Sequence, residues 1–244
     1  MPRIFAIGDL HLSLSVENKA MDVFGPGWAN HVTRLREGWQ DTVGEADLVL
    51  VPGDISWGLR LEEAAADLDF IHSLKGTKIL LRGNHDYWWT GYAKVQSVLP
   101  PSIRAVQNNA LVWGDGVIGG TRGWNTPLGA DFSESRDRKI FEREKLRLGL
   151  SLSAMDAQGG RLRIVLLHYP PFSEKGEPTD FAKLLSGHGV GHCAYGHLHG
   201  RSCLGGFEGD YEGTRYHLAS ADHLRFVPKL IAEIYGNHAH ILSL

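Results

Sequence analysis

The chain reads as an α/β protein built on a largely parallel sheet. Three observations predict this. Short apolar runs of strand length recur at 4–7, 48–51, 79–81 and 164–167. Segments of helical periodicity alternate with the first three runs, and several runs end in glycine or proline beside polar side chains. The order strand, helix, strand, helix, strand, helix favours parallel pairing, because parallel neighbours need a crossover that is usually a helix.

The run at 4–7 is a buried strand closed by Gly8. Residues 12–28 carry Phe24, Gly25, Pro26, Gly27 and Trp28, whose glycines and proline argue against a regular element. Val32, Leu35, Trp39 and Val43 recur at helical spacing and predict a helix over 30–45. The strand at 48–51 ends at Pro52 and Gly53. Leu61, Ala64, Leu68, Ile71 and Leu74 form one apolar face of a helix over 61–74, with Glu62, Glu63, Asp67 and Asp69 outside it. After the strand at 79–81, a helix is expected over 88–99, stopped by Pro100 and Pro101.

Beyond these prolines the texture changes to short strands at 103–106, 111–113 and 117–119, the last two joined by the hairpin-type turn Gly114, Asp115, Gly116. Residues 124–134 look irregular. The helix predicted over 134–157 mixes both charge signs, which reads as a solvated face and not as a nucleic-acid arm. Later strands are expected at 164–167, 193–195, 216–219 and 230–235. No repeat or low-complexity linker interrupts 1–244, so one domain is expected.

Bulk properties narrow the function. With 244 residues, 43% of them hydrophobic, the chain has material for a substantial core. A formal charge of −3 supplies no global basic field, so a nucleic-acid partner is not favoured, although a local basic patch stays open. Cys193 and Cys203 make neither a disulfide framework nor a zinc spacing and read as buried thiols. The start runs straight into a strand pattern without a signal or membrane-spanning segment, so a soluble, cytoplasmic protein with no membrane partner is expected. The 13 histidines stand out, since imidazole is both a common metal ligand and the usual proton carrier near neutral pH.

The strand ends concentrate the chemistry. They read Gly8-Asp9-Leu10-His11, Gly53-Asp54, Arg82-Gly83-Asn84-His85-Asp86, His168-Tyr169-Pro170-Pro171 and Gly196-His197-Leu198-His199-Gly200. Any one alone is compatible with a polar turn or a helix cap. Together they place carboxylate, amide and imidazole at the carboxyl edge of an α/β sheet, where ligands bind. The glycines are expected to permit positive φ and so aim the next side chain. Asp9, His11, Asp54, Asn84, His168, His197 and His199 make a donor set of oxygen and nitrogen without thiolate. It suits divalent Mn, Fe, Zn or Ni better than calcium or magnesium. Seven ligands are too many for one ion and fit two that share a carboxylate.

These five blocks, in this order from residue 8 to residue 199, resemble the calcineurin-like metallophosphoesterase superfamily, and in particular its bacterial predicted phosphohydrolases. The resemblance implies a four-layer α/β/β/α sandwich of two mixed sheets spanning 1–244. It places Asp9, His11 and His199 on one metal, Asn84, His168 and His197 on the other, and Asp54 between them. It makes His85 the catalytic histidine that is not a ligand, oriented by Asp86. The implied reaction is hydrolysis of a small phosphomonoester or phosphodiester by hydroxide bridging two divalent transition-metal ions, with His85 assisting the leaving group. Unlike the phosphoprotein phosphatases of the superfamily, Gly53-Asp54 is followed by Ile55-Ser56-Trp57-Gly58, not by Asp-Arg-Gly, and Asp86 stands where they carry Glu. Protein phosphatase activity is not implied.

Other candidates are weaker. Arg122 is a candidate phosphate contact, as a guanidinium fork does this well, and Arg82 is more simply structural. Trp57, Trp88, Trp89 and Trp124 follow motif loops and read as core or as pocket wall. His217, Asp222 and His223 match no motif and are expected to be structural or rim residues. The alternatives are a nuclease or cyclic-nucleotide phosphodiesterase with the same centre, or a non-catalytic scaffold; the complete ligand set weighs against the last. Metal identity, natural substrate and oligomeric state are left open by the sequence.

Overall fold

The apolar runs become strands because only a pleated segment buried on both faces accommodates such unbroken hydrophobicity. In the computed structural model, which describes residues 1–17, 19–234 and 241–242, the strands are β1 (Arg3–Ala6), β2 (Leu48–Pro52), β3 (Thr77–Leu81), β4 (Ile103–Val106), β5 (Ala110–Trp113), β6 (Gly116–Thr121), β7 (Leu162–Leu167), β8 (His192–Tyr195), β9 (Gly209–Tyr211), β10 (Thr214–Leu218), β11 (Lys229–Glu233) and β12 (Ile241–Leu242). The helices are α1 (His31–Thr42), α2 (Leu61–Ser73), α3 (Tyr92–Gln96), α4 (Glu134–Gln158) and α5 (Asp180–Gly187), with 3-10 turns at Met21–Phe24, Pro26–Trp28 and Gly200–Gly205.

The strands form two mixed sheets. One has the order β11-β1-β2-β3-β4 and the other β12-β5-β6-β7-β8-β10-β9. β1 to β4 run parallel, with β11 antiparallel on the edge, and β6, β7, β8 and β10 form the parallel centre of the second sheet. Alternate residues of one strand serve opposite cores, as the period of two requires. Leu48 and Leu50 of β2 face the second sheet with Ile164, Leu166 and Ala194, whereas Val49 and Val51 pack with Leu35 and Trp39 of α1 and Leu68 and Ile71 of α2. On the far side, Val165, Leu167 and Cys193 lie with Phe141, Leu148 and Leu152 of α4 and Phe181 and Leu185 of α5. The result is the α/β/β/α layering that the family resemblance implied.

Three local expectations need correction. The helix expected over 88–99 shrinks to Tyr92–Gln96, because Trp88 and Trp89 are both fully buried and their indole N–H groups are tied to Asp86 and Gln107. A helix would send adjacent side chains in directions about 100° apart, and two neighbouring indoles buried this way favour an irregular turn. α5, β9 and β12 were not legible in the sequence. The last strand, expected over 230–235, is observed as Lys229–Glu233, and Tyr235 lies outside the described residues.

Candidate metal centre

The carboxyl ends of β1, β2 and β3 meet those of β7 and β8 at the top of the seam between the sheets. Backbone bonds fix these ends: Asp9 N–H donates to Gly53 O at 2.8 Å within the first sheet, Gly196 N–H to His168 O at 3.2 Å within the second, and Gly8 N–H to Ala219 O at 2.7 Å across the seam. Four of the expected ligands, Asp9, His11, Asp54 and His197, have φ between 47° and 74°, a region costly for residues with a Cβ. Surrounding structure holds them there and so fixes where their side chains point.

This revises the role expected of the glycines. Gly53 does adopt positive φ (96°), but Gly83 and Gly196 are needed for space: a Cβ on Gly83 would overlap the Asp54 carboxylate, and one on Gly196 would overlap that of Asp9. The strain is carried by the ligands themselves, and these two glycines leave room for the carboxylates.

Two groups of donors converge. In the first, Asp9, His11 and His199 each offer an atom within 4.8 Å of the others, and His11 Nε2 faces His199 Nε2 at 3.2 Å. In the second, His168 Nε2 lies 2.6 Å from Asn84 Oδ1 and 3.2 Å from His197 Nδ1, and Asn84 Oδ1 is 3.0 Å from His197 Nδ1. Asp54 spans both: Oδ2 is 3.7 Å from His11 Nε2 and Oδ1 is 3.5 Å from His168 Nε2. Asp9 also reaches the second group, which with Asp54 and His168 forms another set of mutually close donors. All seven expected ligands are thus brought together.

The electrostatics explain what such an arrangement needs. Burial pushes the Asp9 carboxyl up to about 8, with His199 opposing the rise and Asp54 adding to it. Burial likewise raises Asp54, against the amide hydrogen bond from His85. Burial pulls His168 down to about 3, despite the carbonyl of Pro52, and His197 down to about 2, with the neighbouring imidazoles acting in the same sense on His197. His11 is lowered by burial and then by His199. His168 and His197, both held neutral, therefore point ring nitrogens at one another 3.2 Å apart, beside carboxylates that have no Lys or Arg partner among the described residues. A proton shared between rings satisfies one such pair poorly, whereas a divalent cation satisfies all of these lone pairs at once. The donor set fits two such ions.

Outer hydrogen bonds select the ring nitrogens. His168 donates Nδ1–H to Pro52 O at 3.0 Å, leaving Nε2 as the lone pair that faces Asn84 and His197. His199 Nδ1 lies 3.1 Å from Asp222 Oδ1, while Gly200 N–H donates to Asp222 Oδ2 at 2.9 Å. For His199, burial acts downward, but the Asp222 bond and the nearby Asp9 leave it raised. Asp222, expected to be a structural or rim residue, is therefore the outer partner of a ligand. No sequence motif marks it; the isolated β-bridge between Gly8 and Ser220 and the Ala219 N–H bond to Tyr195 O bring its loop to the centre.

His85 lines the cavity above the ligands, stacked obliquely on Trp57 with ring centroids 4.6 Å apart. Its ring has no hydrogen bond to Asp86, and this corrects the expected orienting role. The fully buried Asp86 carboxylate accepts from Ile55 N–H (2.9 Å), Ser56 N–H (3.1 Å), Gly83 N–H (2.7 Å) and Trp88 Nε1–H (3.0 Å). Held by these four donors, Asp86 ties the loop after β2 to the loop after β3. The His85 backbone N–H donates to Asp54 Oδ1 at 2.8 Å.

The remaining candidates lie elsewhere. Arg82 and Arg122 line a separate polar cavity of about 200 Å³ with Arg143, Arg147 and Glu144. The Arg122 guanidinium is 3.8 Å from the buried Glu144 and lies over the Trp124 ring, and only its carbonyl touches the centre, accepting from His168 and Tyr169. His217 pairs with His192 (3.1 Å) and His223 with Glu208 (3.3 Å).

The profile of the family described as calcineurin-like phosphoesterase matches residues 2–201. The Gene 66 protein of Mycobacterium phage D29 is 34% identical over 86 residues, a stretch covering 35% of this chain and 41% of that protein. The chain thus matches about two fifths of the length of this curated relative. Among solved structures, the phosphopantetheinyl hydrolase PptH of Mycobacterium tuberculosis aligns over 97% of this chain and 99% of its own, with TM-score 0.57 and 13% identity. The protein of unknown function AQ665 from Aquifex aeolicus aligns over 94% of this chain and 96% of its own, with TM-score 0.50 and 12% identity; both likenesses speak to the fold. With a family profile covering most of its length, the chain belongs to the calcineurin-like phosphoesterases.

Proposed function

We propose that this chain is a metal-dependent phosphohydrolase with a two-ion centre, acting on a small phosphate ester. The observation that carries the reading is the pair of donor groups described above, in which imidazole nitrogens face one another beside two buried carboxylates that have no Lys or Arg partner among the described residues. Asp9, His11 and His199 would hold one ion, Asn84, His168 and His197 the other, with Asp54 between. When bound, two divalent ions supply positive charge for the phosphoryl oxygens and lower the pKa of water enough to make hydroxide available near neutral pH.

The chain's own contribution is placement and proton supply. Positive φ at four ligands fixes the donors before substrate arrives, so little rearrangement is required when the reacting groups meet. His85 stands outside both donor groups yet lines the same cavity, where it donates a proton or hydrogen bond to the leaving oxygen. Trp57 packs on its ring, and its backbone is held through Asp54. The cavity is lined by neither Lys nor Arg, which disfavours an extended polyanion and hence the nuclease alternative.

Two variants divide the work. His85→Ala is expected to keep its metal content and lose about a hundredfold or more in turnover of mono- and diester chromogenic substrates. Asp54→Ala is expected to lose metal itself, as measured by elemental analysis of the purified protein. Metal and turnover falling together in His85→Ala would remove the acid role. Absence of hydrolysis by metal-loaded wild type across mono-, di- and cyclic phosphates would overturn the phosphoesterase reading.

A further inference from the structure

The centre opens into a cavity of about 400 Å³ whose outer wall is Met21, Phe24, Trp28 and Trp57. This is within the size range of small-molecule sites. The wall begins at the ligands: Trp57 stacks on His11 with ring centroids 5.0 Å apart, and Trp28 meets the same ring edge-on at 5.8 Å. Trp28 is buried and Trp57 half-buried, but Phe24, on the 3-10 turn Met21–Phe24, is 67% exposed while lining the cavity. A large aromatic side chain at the mouth of a catalytic cavity, without a covering neighbour, is apolar surface available to an occupant. Lys19 lies 5.2 Å over the Trp57 ring but does not line the cavity.

We propose that this recess selects phosphate esters whose leaving alcohol carries a flat, apolar body, such as an aryl group, seated against Trp57, Trp28 and Phe24. The proposal rests on the phosphoesterase reading and deepens it. A leaving oxygen within reach of His85 emerges beside Trp57, because the two rings are in contact, and the substituent on that oxygen then runs along the aromatic wall. Flat rings pack on such a wall through offset or edge-to-face contacts. A polyphosphate chain in the same direction finds no guanidinium or ammonium lining the cavity.

The test compares 2-naphthyl phosphate with trifluoroethyl phosphate on the metal-loaded full chain, using the ratio of their kcat/KM values so that intrinsic leaving-group reactivity cancels between variants. Phe24→Ala, an exposed position where folding is tolerant, is expected to lower that ratio about tenfold, and Phe24→Tyr to keep it. Binding supplies an independent readout: 2-naphthylphosphonate is expected to bind about tenfold more tightly than methylphosphonate, by quenching of tryptophan fluorescence, with the advantage lost in Phe24→Ala. An unchanged ratio in Phe24→Ala, or equal binding of the two phosphonates, overturns the aromatic recess while leaving the phosphoesterase reading intact. If the wild type hydrolyses neither these monoesters nor the corresponding diesters and cyclic phosphates, that broader reading fails, and a preference for naphthylphosphonate that Phe24→Ala removes still supports the recess.

Discussion

Two clusters of carboxylates are buried in the chain, one at the seam between the sheets and one under α4 on the second sheet, and the protein treats them in opposite ways. Glu144 and Asp137 on α4 are fully buried and answered by arginine. Glu144 accepts from Arg147 at 2.6 Å and from Thr121 Oγ1 at 2.8 Å, with Arg122 and Arg143 at 3.8 and 3.9 Å, and Asp137 takes a two-pronged contact from Arg136 at 2.8 and 3.0 Å. Asp9 and Asp54 are as deeply buried but meet imidazoles whose environment keeps most of them neutral. Burying charge without a partner costs several kcal/mol. The first cluster meets that cost within the chain. The second has no Lys or Arg partner among the described residues, and the proposed ions would supply its countercharge.

The comparison can be broken at either end. The largest effect is expected at Glu144: Glu144→Ala leaves several arginines without their shared carboxylate and should destabilise the fold by about 3–5 kcal/mol in denaturant titration. Its bound metal per folded chain should be unchanged; a loss of metal would mean that the two clusters are not independent. Next comes Asp222, which bonds His199 on the ring nitrogen away from the other donors. Asp222→Asn is expected to weaken one ion by about 10–100-fold while leaving the second in place, as read by competition with a chelator. Equal weakening of both ions, or of neither, would separate Asp222 from the His199 group.

The smallest effect concerns Lys78, a third kind of buried charge, held by carbonyl oxygens of Leu74 and His72 without a carboxylate partner. Burial lowers its ammonium to about 8, only slightly offset by Glu45. Because the folded value lies below that of the unfolded chain, the unfolded state binds more protons between about 8 and 10.5, and wild-type stability rises with pH across that window. Lys78→Met is therefore expected to stabilise at pH 7 by about 1 kcal/mol, after discounting for screening, with the gain fading above pH 8 in parallel melts. A gain that grows with pH would reverse the assignment.

The sequence made the convergent donor set legible because each expected donor sits at the end of an apolar run, within two or three residues of a glycine or directly after the strand. The layering was legible only through the resemblance those strand ends carry; the runs at 48–51 and 164–167 are apolar throughout, and the structure shows that their alternate residues serve two cores. What escaped is what depends on distant partners. Asp222 acts only through a loop returned to the centre by the bridge at Ser220, and no spacing in its own neighbourhood reveals it. Asp86 sits beside His85 in sequence, yet four N–H donors from two loops claim its carboxylate, and only the fold shows which neighbour wins. The tandem Trp88 and Trp89 suited a helix by composition, and their indole hydrogen bonds decided otherwise. Arg122, an attractive phosphate contact by its surroundings in sequence, faces a different cavity because Glu144 and Trp124 hold it there.

The central claim is that two buried carboxylates and their imidazoles are reserved for two cations. Calorimetric titration of the chelator-stripped full chain with Mn²⁺ or Zn²⁺ tests it most directly. The account predicts two ions per chain, both lost in a variant lacking Asp54, and a melting temperature that rises as they bind. Saturation at a single ion, or a melting temperature indifferent to metal, would contradict it.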